Sequence, residues 1–211
     1  MMKITKIIKW KFLLVSCLIT LLPVLLGVAL WNSLPENIAI HFDMYNRPDN
    51  FAPKWFAVFG LPVMMVILQT ISCAITDFKS AKHGERKKFE NVVKWIIPVL
   101  CIVLQVITLG YSLGWAIDIR VSVMLIVSAI FLVMGNYQPK LDYVKHYDCD
   151  TQAARKINRF IGRLMVIMGI LGIVSIFLPP VASIVWLILL IPFAITSVVY
   201  GIVVGTRKHE K

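Results

Sequence analysis

The residues best suited to chemistry lie in one short segment, LPENIAIHFDMYNRPDNFAPKW, which runs from Leu34 to Trp55. Histidine and carboxylates are the groups that zinc sites and acid–base catalysis use. The segment supplies them at His41, Asp43 and Asp49. A catalytic zinc ion needs three protein ligands with orienting partners. We therefore favour a structural or recognition role over metal binding, and keep an enzyme or metal site as the alternative.

The segment lies between long apolar runs. Of the 211 residues, 59% are hydrophobic and the mean hydropathy is +0.81. About 20 consecutive apolar residues cross a bilayer as a helix. The sequence thus predicts an all-α fold, a polytopic membrane helix bundle. Its six predicted spans are approximately 12–31, 56–76, 92–112, 120–136, 160–178 and 182–204.

The net charge of +11 follows the same pattern. Lysine and arginine concentrate in every second connection: the N-terminal segment, residues 77–90, residues 137–158 and the C-terminal tail. Such alternation marks the cytoplasmic side of a membrane protein. It predicts cytoplasmic N and C termini in the bacterial cell membrane and no direct contact with nucleic acid. The segment from Leu34 to Trp55 is then extracellular.

The extracellular segment has its own local pattern. A period-two alternation in IAIHFD predicts an extended stretch. A turn should follow, because Asn46 tolerates a left-handed backbone and Pro48 fixes its own φ. Lys54 is expected to reach the lipid headgroups. The alternation assigns two sets of side chains to opposite faces: Ile38, Ile40 and Phe42 on one, and Ala39, His41 and Asp43 on the other.

Few polar residues lie within the predicted spans. Gln69 and Gln105 are expected to form hydrogen bonds between helices. No charged residue lies near a predicted midplane, which counts against an ion-coupled transporter. Small residues at Gly162, Gly169 and Gly172 predict the close approach of a neighbouring helix.

Two of the spans resemble each other. PVMMVILQTIS, from residue 62, aligns without gaps to PVLCIVLQVIT, from residue 98. The two helices run in opposite directions, so a true duplication would be inverted, as in some transporters. We interpret the likeness as chance, because the other helices show no comparable partner. A small transporter remains an alternative function.

Other motifs of catalysis are missing from the sequence. The four cysteines form no C-x-x-C pair, and no glycine-rich phosphate loop, H-E-x-x-H or Ser/His/Asp set occurs. The sequence therefore predicts a protein that is not an enzyme and needs neither a cofactor nor a metal.

Two motifs carry a family resemblance. The extracellular segment resembles the N-terminal domain of SdpI-type bacterial membrane proteins. A second stretch, GNYQPK, resembles the family's G-N-Y-x-P-K. The matching residues of the first motif are Leu34, Pro35, Ile38, His41, Phe42, Asp43, Pro48, Asp49 and Lys54; those of the second are Gly135, Asn136, Tyr137, Pro139 and Lys140.

The resemblance implies a division of the chain and a function. Residues 1–90 would form the family domain, with helices one and two and the extracellular loop 32–55, and residues 91–211 a four-helix membrane region. The implied role is immunity to a secreted antimicrobial peptide toxin, with signalling through a cytosolic transcriptional repressor. Residues 137–158 lack a stretch common in the family, which puts repressor docking there in doubt.

The resemblance also implies roles for residues. The first motif would contact the toxin or define the loop, and the second would hold the inner end of helix four. For His41 a purely structural role in folding the loop is the competing interpretation.

Overall fold

The long apolar stretches form α-helices, because a backbone in hydrocarbon must satisfy its hydrogen bonds within its own segment. The computed structural model of the chain describes residues 7–83, 87–140 and 151–206. Its helices are α1 (Trp10–Ala29), α2 (Lys54–His83), α3 (Lys87–Ser112), α4 (Ile119–Tyr137), α5 (Thr151–Ile176) and α6 (Pro180–Thr206).

All six helices are long and apolar enough to cross a membrane. Each coincides with one of the six predicted spans, so the predicted membrane fold is confirmed and the chain is a multi-pass cell-membrane protein. The largest difference in length is at α2, which has 30 residues and continues to His83 rather than ending near residue 76. The extra turns carry Asp77, which is buried instead of lying in a loop.

The chain divides into two compact units between Ile119 and Arg120. In the first unit, α3 packs against both α1 and α2. The division implied by the resemblance lies at residue 90, and the first compact unit also includes α3. Buried polar side chains join α3 to α2, and the sequence does not reveal those partners.

A β-hairpin connects α1 to α2 within the first unit. Strand β1 (Asn37–Phe42) pairs antiparallel with β2 (Pro48–Pro53). The predicted extended stretch is therefore one strand of a small sheet. The predicted alternation is wrong in part: Ile38 is buried, but Ala39 is buried as well and Ile40 is 44% exposed. The pairing shifts register between Ala39 and His41, which breaks the period of two.

In the second unit, glycines allow α4 and α5 to approach closely. A Cβ atom at Gly162 would lie 2.8 Å from the carbonyl oxygen of Gly135, and a Cβ at Gly135 would lie 2.8 Å from that of Gly162. Gly169 and Gly172 lie similarly close to atoms of Ser128. The approach predicted at Gly162, Gly169 and Gly172 is confirmed. Helix α6 packs on α5, where Trp186 donates a hydrogen bond to a backbone carbonyl.

Candidate functional site

The base of the hairpin is a small apolar core. Ile38 has no exposed surface, and Leu34 is buried beside it. They contact the first turns of α2 and the end of α3 through Ala57, Val58 and Leu109. Leu34, a residue of the first family motif, therefore fixes the hairpin on the helix ends.

Lys54 joins the start of α2 to the segment that precedes the hairpin. Its Nζ lies 2.9 Å from Glu36 Oε1 and 3.4 Å from the Trp31 carbonyl oxygen, above the Trp31 ring. Its backbone N–H also donates to the Glu36 carbonyl. The side chain is 10% exposed, so the predicted extension to the headgroups is wrong. An ammonium group this buried needs such partners.

Asp43 shapes the turn of the hairpin. Its Oδ1 accepts hydrogen bonds from the backbone N–H groups of Tyr45 (2.8 Å) and Arg47 (2.9 Å). Asn46 has a φ of 64°, so the left-handed residue predicted for this turn is confirmed. Asp43 is thus occupied by the backbone, which argues against its use as a metal ligand beside His41.

The tip of the hairpin is attached to the connection between α3 and α4. Asn46 Nδ2 donates to the Ile117 carbonyl (3.2 Å), and its Oδ1 accepts from the Ile119 N–H (2.7 Å). Phe42 packs edge-on against Tyr111, with ring centroids 4.7 Å apart. Asn46 therefore adopts the left-handed turn conformation and also bonds the hairpin to the connection between α3 and α4. Only the first of these roles can be predicted from the sequence.

Replacing Asn46 separates these two roles. Asn46→Gly keeps access to positive φ but removes both hydrogen bonds, so we expect a loss of about 1–2 kcal/mol of stability. Asn46→Ala should lose about 1 kcal/mol more, because alanine resists the left-handed conformation. Thermal unfolding of the purified protein in detergent measures both losses. Wild-type stability in the glycine variant would show that the attachment contributes nothing.

His41 and Asp49 form a hydrogen-bonded pair on the exposed side of the hairpin. His41 Nδ1 lies 2.6 Å from Asp49 Oδ1, and the side chains are 68% and 47% exposed. The hydrogen-bond partner of His41 is thus a side-chain carboxylate of the neighbouring strand. Exposed pairs contribute little to stability. Both side chains can therefore offer hydrogen bonds and charge to a ligand.

The same hairpin exposes large apolar side chains. Ile40, Tyr45 and Phe51 are 44%, 61% and 53% exposed. Together with His41 and Asp49 they form what we call the hairpin surface. Within the described residues no group of three His, Cys, Asp or Glu side chains could hold a metal ion. The hairpin surface thus has the composition of a recognition site, because exposed apolar side chains and one polar pair lie on the same short hairpin.

Of the other motif residues on the hairpin, Pro48 opens β2 and pairs with Phe42 in the register. Pro35 is exposed and precedes β1. Neither carries a group for catalysis, and both restrict the backbone where the chain changes direction.

The second motif lies in the second unit and serves packing there. Gly135 and Pro139 lie against Gly162 of α5. The Lys140 ammonium group lies 3.4 Å from Asn136 Oδ1 and above the Tyr137 ring. Gly135 and Pro139 thus bring the end of α4 close to α5, whereas the Lys140 contacts are local to the end of α4.

The predicted intramembrane glutamines are both buried and both bond across helices. Gln69 Nε2 donates to the Lys94 carbonyl (3.0 Å) and to Ser16 Oγ (2.9 Å). Gln105 Nε2 donates to the Ala57 carbonyl (3.1 Å). The expectation that they link helices is confirmed.

Sequence reasoning missed a buried ion pair at the other end of α2 and α3 from the hairpin. Lys94 Nζ lies 2.5 Å from Asp77 Oδ1, and both side chains are almost fully buried. Asp77 Oδ2 also accepts the Lys9 backbone N–H, and the Lys9 ammonium group lies 3.4 Å from Glu90. Buried charges in a membrane protein are costly and mark structure or function. The sequence hides this pair because both residues flank a charged connection.

Comparison with known proteins agrees with this geometry. A family model described as "Domain of unknown function (DUF1648)" matches residues 18–66, which include most of α1, the hairpin and the start of α2. The chain is 28% identical over 173 residues to "Immunity protein SdpI" of Bacillus subtilis (strain 168), which covers 78% of this chain and 81% of that protein. No solved structure gives a significant match. The predicted resemblance to the SdpI family is thereby confirmed: most of the chain is similar to that immunity protein, and residues 18–66 match the DUF1648 domain.

Proposed function

We propose that this protein gives the cell that carries it immunity to a secreted antimicrobial peptide, and that the hairpin surface is where the peptide binds. The name of the relative supports the first half. One observation supports the second. Leu34, Asp43 and Lys54 of the motif are engaged in holding the hairpin, whereas His41 and Asp49 are exposed.

The hairpin surface suits an amphipathic peptide. Burying the exposed parts of Ile40, Tyr45 and Phe51 would contribute roughly 25 cal/mol for each Å² removed from water. The His41–Asp49 pair would form hydrogen bonds with polar groups of the peptide. The hairpin is fixed at its base by Ile38 and at its tip by Asn46. Binding therefore costs little ordering of the loop.

The mechanism requires no chemical step. Capture at the membrane surface keeps the peptide from the lipid, and the exposed apolar faces of the helices beside the hairpin receive its apolar side. The proposal depends on the predicted extracellular location of the hairpin. The Asp43 carboxylate accepts two backbone hydrogen bonds of the turn through Oδ1, which favours a structural role for it over a catalytic one.

The same proposal includes a second step, in which peptide binding is signalled to a cytosolic repressor. The segment predicted to receive such a partner is 137–158, and its residues 141–150 lie outside the described part of the chain. Within the described part, α2 extends without interruption from the hairpin to the buried Asp77. That helix is the element through which binding outside would reach the cytoplasmic end.

The test is survival of a sensitive bacterial host that expresses the protein, in conditioned medium from strains that secrete antimicrobial peptides. We expect Asp49→Asn, His41→Ala and Phe51→Ala each to lower the tolerated dose about tenfold or more, equivalent to ~1.4 kcal/mol of binding. Membrane levels of the protein should stay normal, since these side chains are exposed.

Ile71→Ala is the matched control, because it truncates an exposed apolar side chain of α2 away from the hairpin. It should leave tolerance unchanged. Full tolerance in all three hairpin variants would refute the site. A parallel fall in protein level and tolerance for His41→Ala would assign that residue to folding instead.

A further inference from the structure

Prolines within α2 and α3 leave backbone carbonyl groups without their usual partners. Pro62 lies inside α2 and Pro98 inside α3, and both are buried. A proline has no N–H to donate to the carbonyl four residues earlier. The carbonyl groups of Val58 and Lys94 are those that lose a donor. In a membrane interior no bulk water replaces it.

A glutamine from the opposite helix reaches each of these two carbonyl groups. Gln105 of α3 donates to the carbonyl oxygens of Val58 (3.4 Å) and the neighbouring Ala57 (3.1 Å) on α2. Gln69 of α2 donates to the Lys94 carbonyl oxygen (3.0 Å) on α3. Both glutamines have no exposed surface. Each helix thus supplies a side-chain donor to the carbonyl group that the proline of the other helix leaves without one.

The two contacts are equivalent in sequence as well as in geometry. The gap-free alignment that places Pro62 on Pro98 also places Gln69 on Gln105, and the same offset relates Val58 to Lys94. The exchange is reciprocal, as an inverted repeat with a two-fold relation requires. Chance similarity of apolar sequences, the interpretation favoured from sequence alone, would not predict reciprocal hydrogen bonds at matched positions.

We propose that α2 and α3 are an inverted pair, in which each glutamine replaces the helical N–H that the proline of the partner helix lacks. This inference is independent of the proposed immunity function. The two exchanges lie at different depths. The Gln105 contact adjoins the apolar core under the hairpin, and the Gln69 contact adjoins Lys94 of the buried ion pair. Together they fix the packing of α2 on α3 along its length.

The experiment uses double-mutant cycles on the full-length protein in detergent, with unfolding followed by reaction of the buried thiol of Cys101. Gln105→Leu and Gln69→Leu should each lower the midpoint of unfolding by about 2–8 °C. Adding Pro62→Ala to the Gln105 variant should recover at least half of the loss, because alanine returns an N–H for Val58.

Two kinds of double variant are compared. A matched pair changes a glutamine and the proline that leaves its acceptor carbonyl without an N–H, and a crossed pair changes a glutamine and the other proline. The comparison distinguishes replacement of the missing N–H from a general effect of removing a proline. Pro98→Ala should rescue Gln69→Leu, although less completely, because Gln69 also donates to Ser16 and to Cys73. The crossed pairs, Pro62→Ala with Gln69→Leu and Pro98→Ala with Gln105→Leu, should be additive, since they share no hydrogen bond. Coupling of equal size in crossed and matched pairs, or none in either, would overturn the proposal.

If the leucine variants do not accumulate in the membrane, asparagine variants provide the same test. Gln105→Asn and Gln69→Asn keep the polar group but withdraw it by one methylene from the carbonyl. They should show the same pattern, with rescue by the matched proline substitution and additivity with the crossed one. Loss of that pattern would count against the proposal in the same way.

Discussion

Asp77→Asn is expected to destabilise the protein by about 3–5 kcal/mol, the usual result of removing one partner of a buried ion pair. The Lys94 ammonium group is 2% exposed and lies 2.5 Å from the Asp77 carboxylate. The face of the Phe12 ring also lies near it, with the ring centroid 5.1 Å away. An aromatic ring stabilises a desolvated ammonium group far less than a carboxylate does. The charge would remain buried and largely uncompensated.

Removing both charges should cost less than removing one. Lys94→Met removes the ammonium group that lies against the Asp77 carboxylate and leaves it the Lys9 backbone N–H, so it too should be strongly destabilising. The double variant replaces the pair with neutral groups, and we expect it to recover most of either single loss, because buried pairs often contribute little net stability. Thermal or denaturant-induced unfolding in detergent measures all three.

Lys79→Met is the control for this cycle, because Lys79 lies on the same stretch of α2 but is exposed. It should change stability by less than ~0.5 kcal/mol. A loss in the double variant equal to the sum of the two single losses would show that the two charges do not interact in the folded protein. The result would then assign Asp77 to the Lys9 contact alone.

The helices could be predicted from sequence because their signal is local. Each span is an apolar stretch of about the length that a bilayer requires, and its identification needs no knowledge of partners. The helix ends are predicted less accurately where a charged residue near the end is buried. Asp77 looks like the start of a loop, because a charged residue next to a lysine-rich connection is normally solvated. Only its contact with Lys94 shows that the helix continues.

The hairpin could be predicted in part. Asn46 was identified as a left-handed turn residue, since few other residues adopt that conformation. The register shift could not be predicted, because it depends on which residues of β2 face His41. The same limit applies to Lys54. Its burial depends on Glu36 and Trp31, and the general tendency of lysine to reach the headgroups gives the opposite answer.

The candidate site was proposed as a set of motif residues, and the sequence did not separate those that build the loop from those that face outward. Asp43 and Asp49 have the same side chain and are close in sequence, yet one accepts backbone hydrogen bonds and the other pairs with His41 on the surface. Hydrogen-bond partners and exposure decide that difference. Sequence patterning reports neither.

Gly162→Ala is expected to destabilise the second unit by about 1–3 kcal/mol. The added Cβ would lie 2.8 Å from the Gly135 carbonyl oxygen and 2.8 Å from Pro139 Cδ. The first of these atoms belongs to a helix backbone and the second to a rigid ring, so neither can move aside without displacing α4. A loss of stability would be informative, because helix propensity alone favours alanine over glycine by about 1 kcal/mol.

Gly201→Ala is the control with the opposite expectation. Gly201 lies inside α6, and no atom of the described chain lies within 4 Å of the Cβ position. Only the helix propensity changes, so this variant should be neutral or more stable than the wild type by up to ~1 kcal/mol. Unfolding in detergent compares the two. If both substitutions shifted stability in the same direction, the contact of α4 with α5 at Gly162 would not limit the packing, and the glycine of GNYQPK would need another explanation.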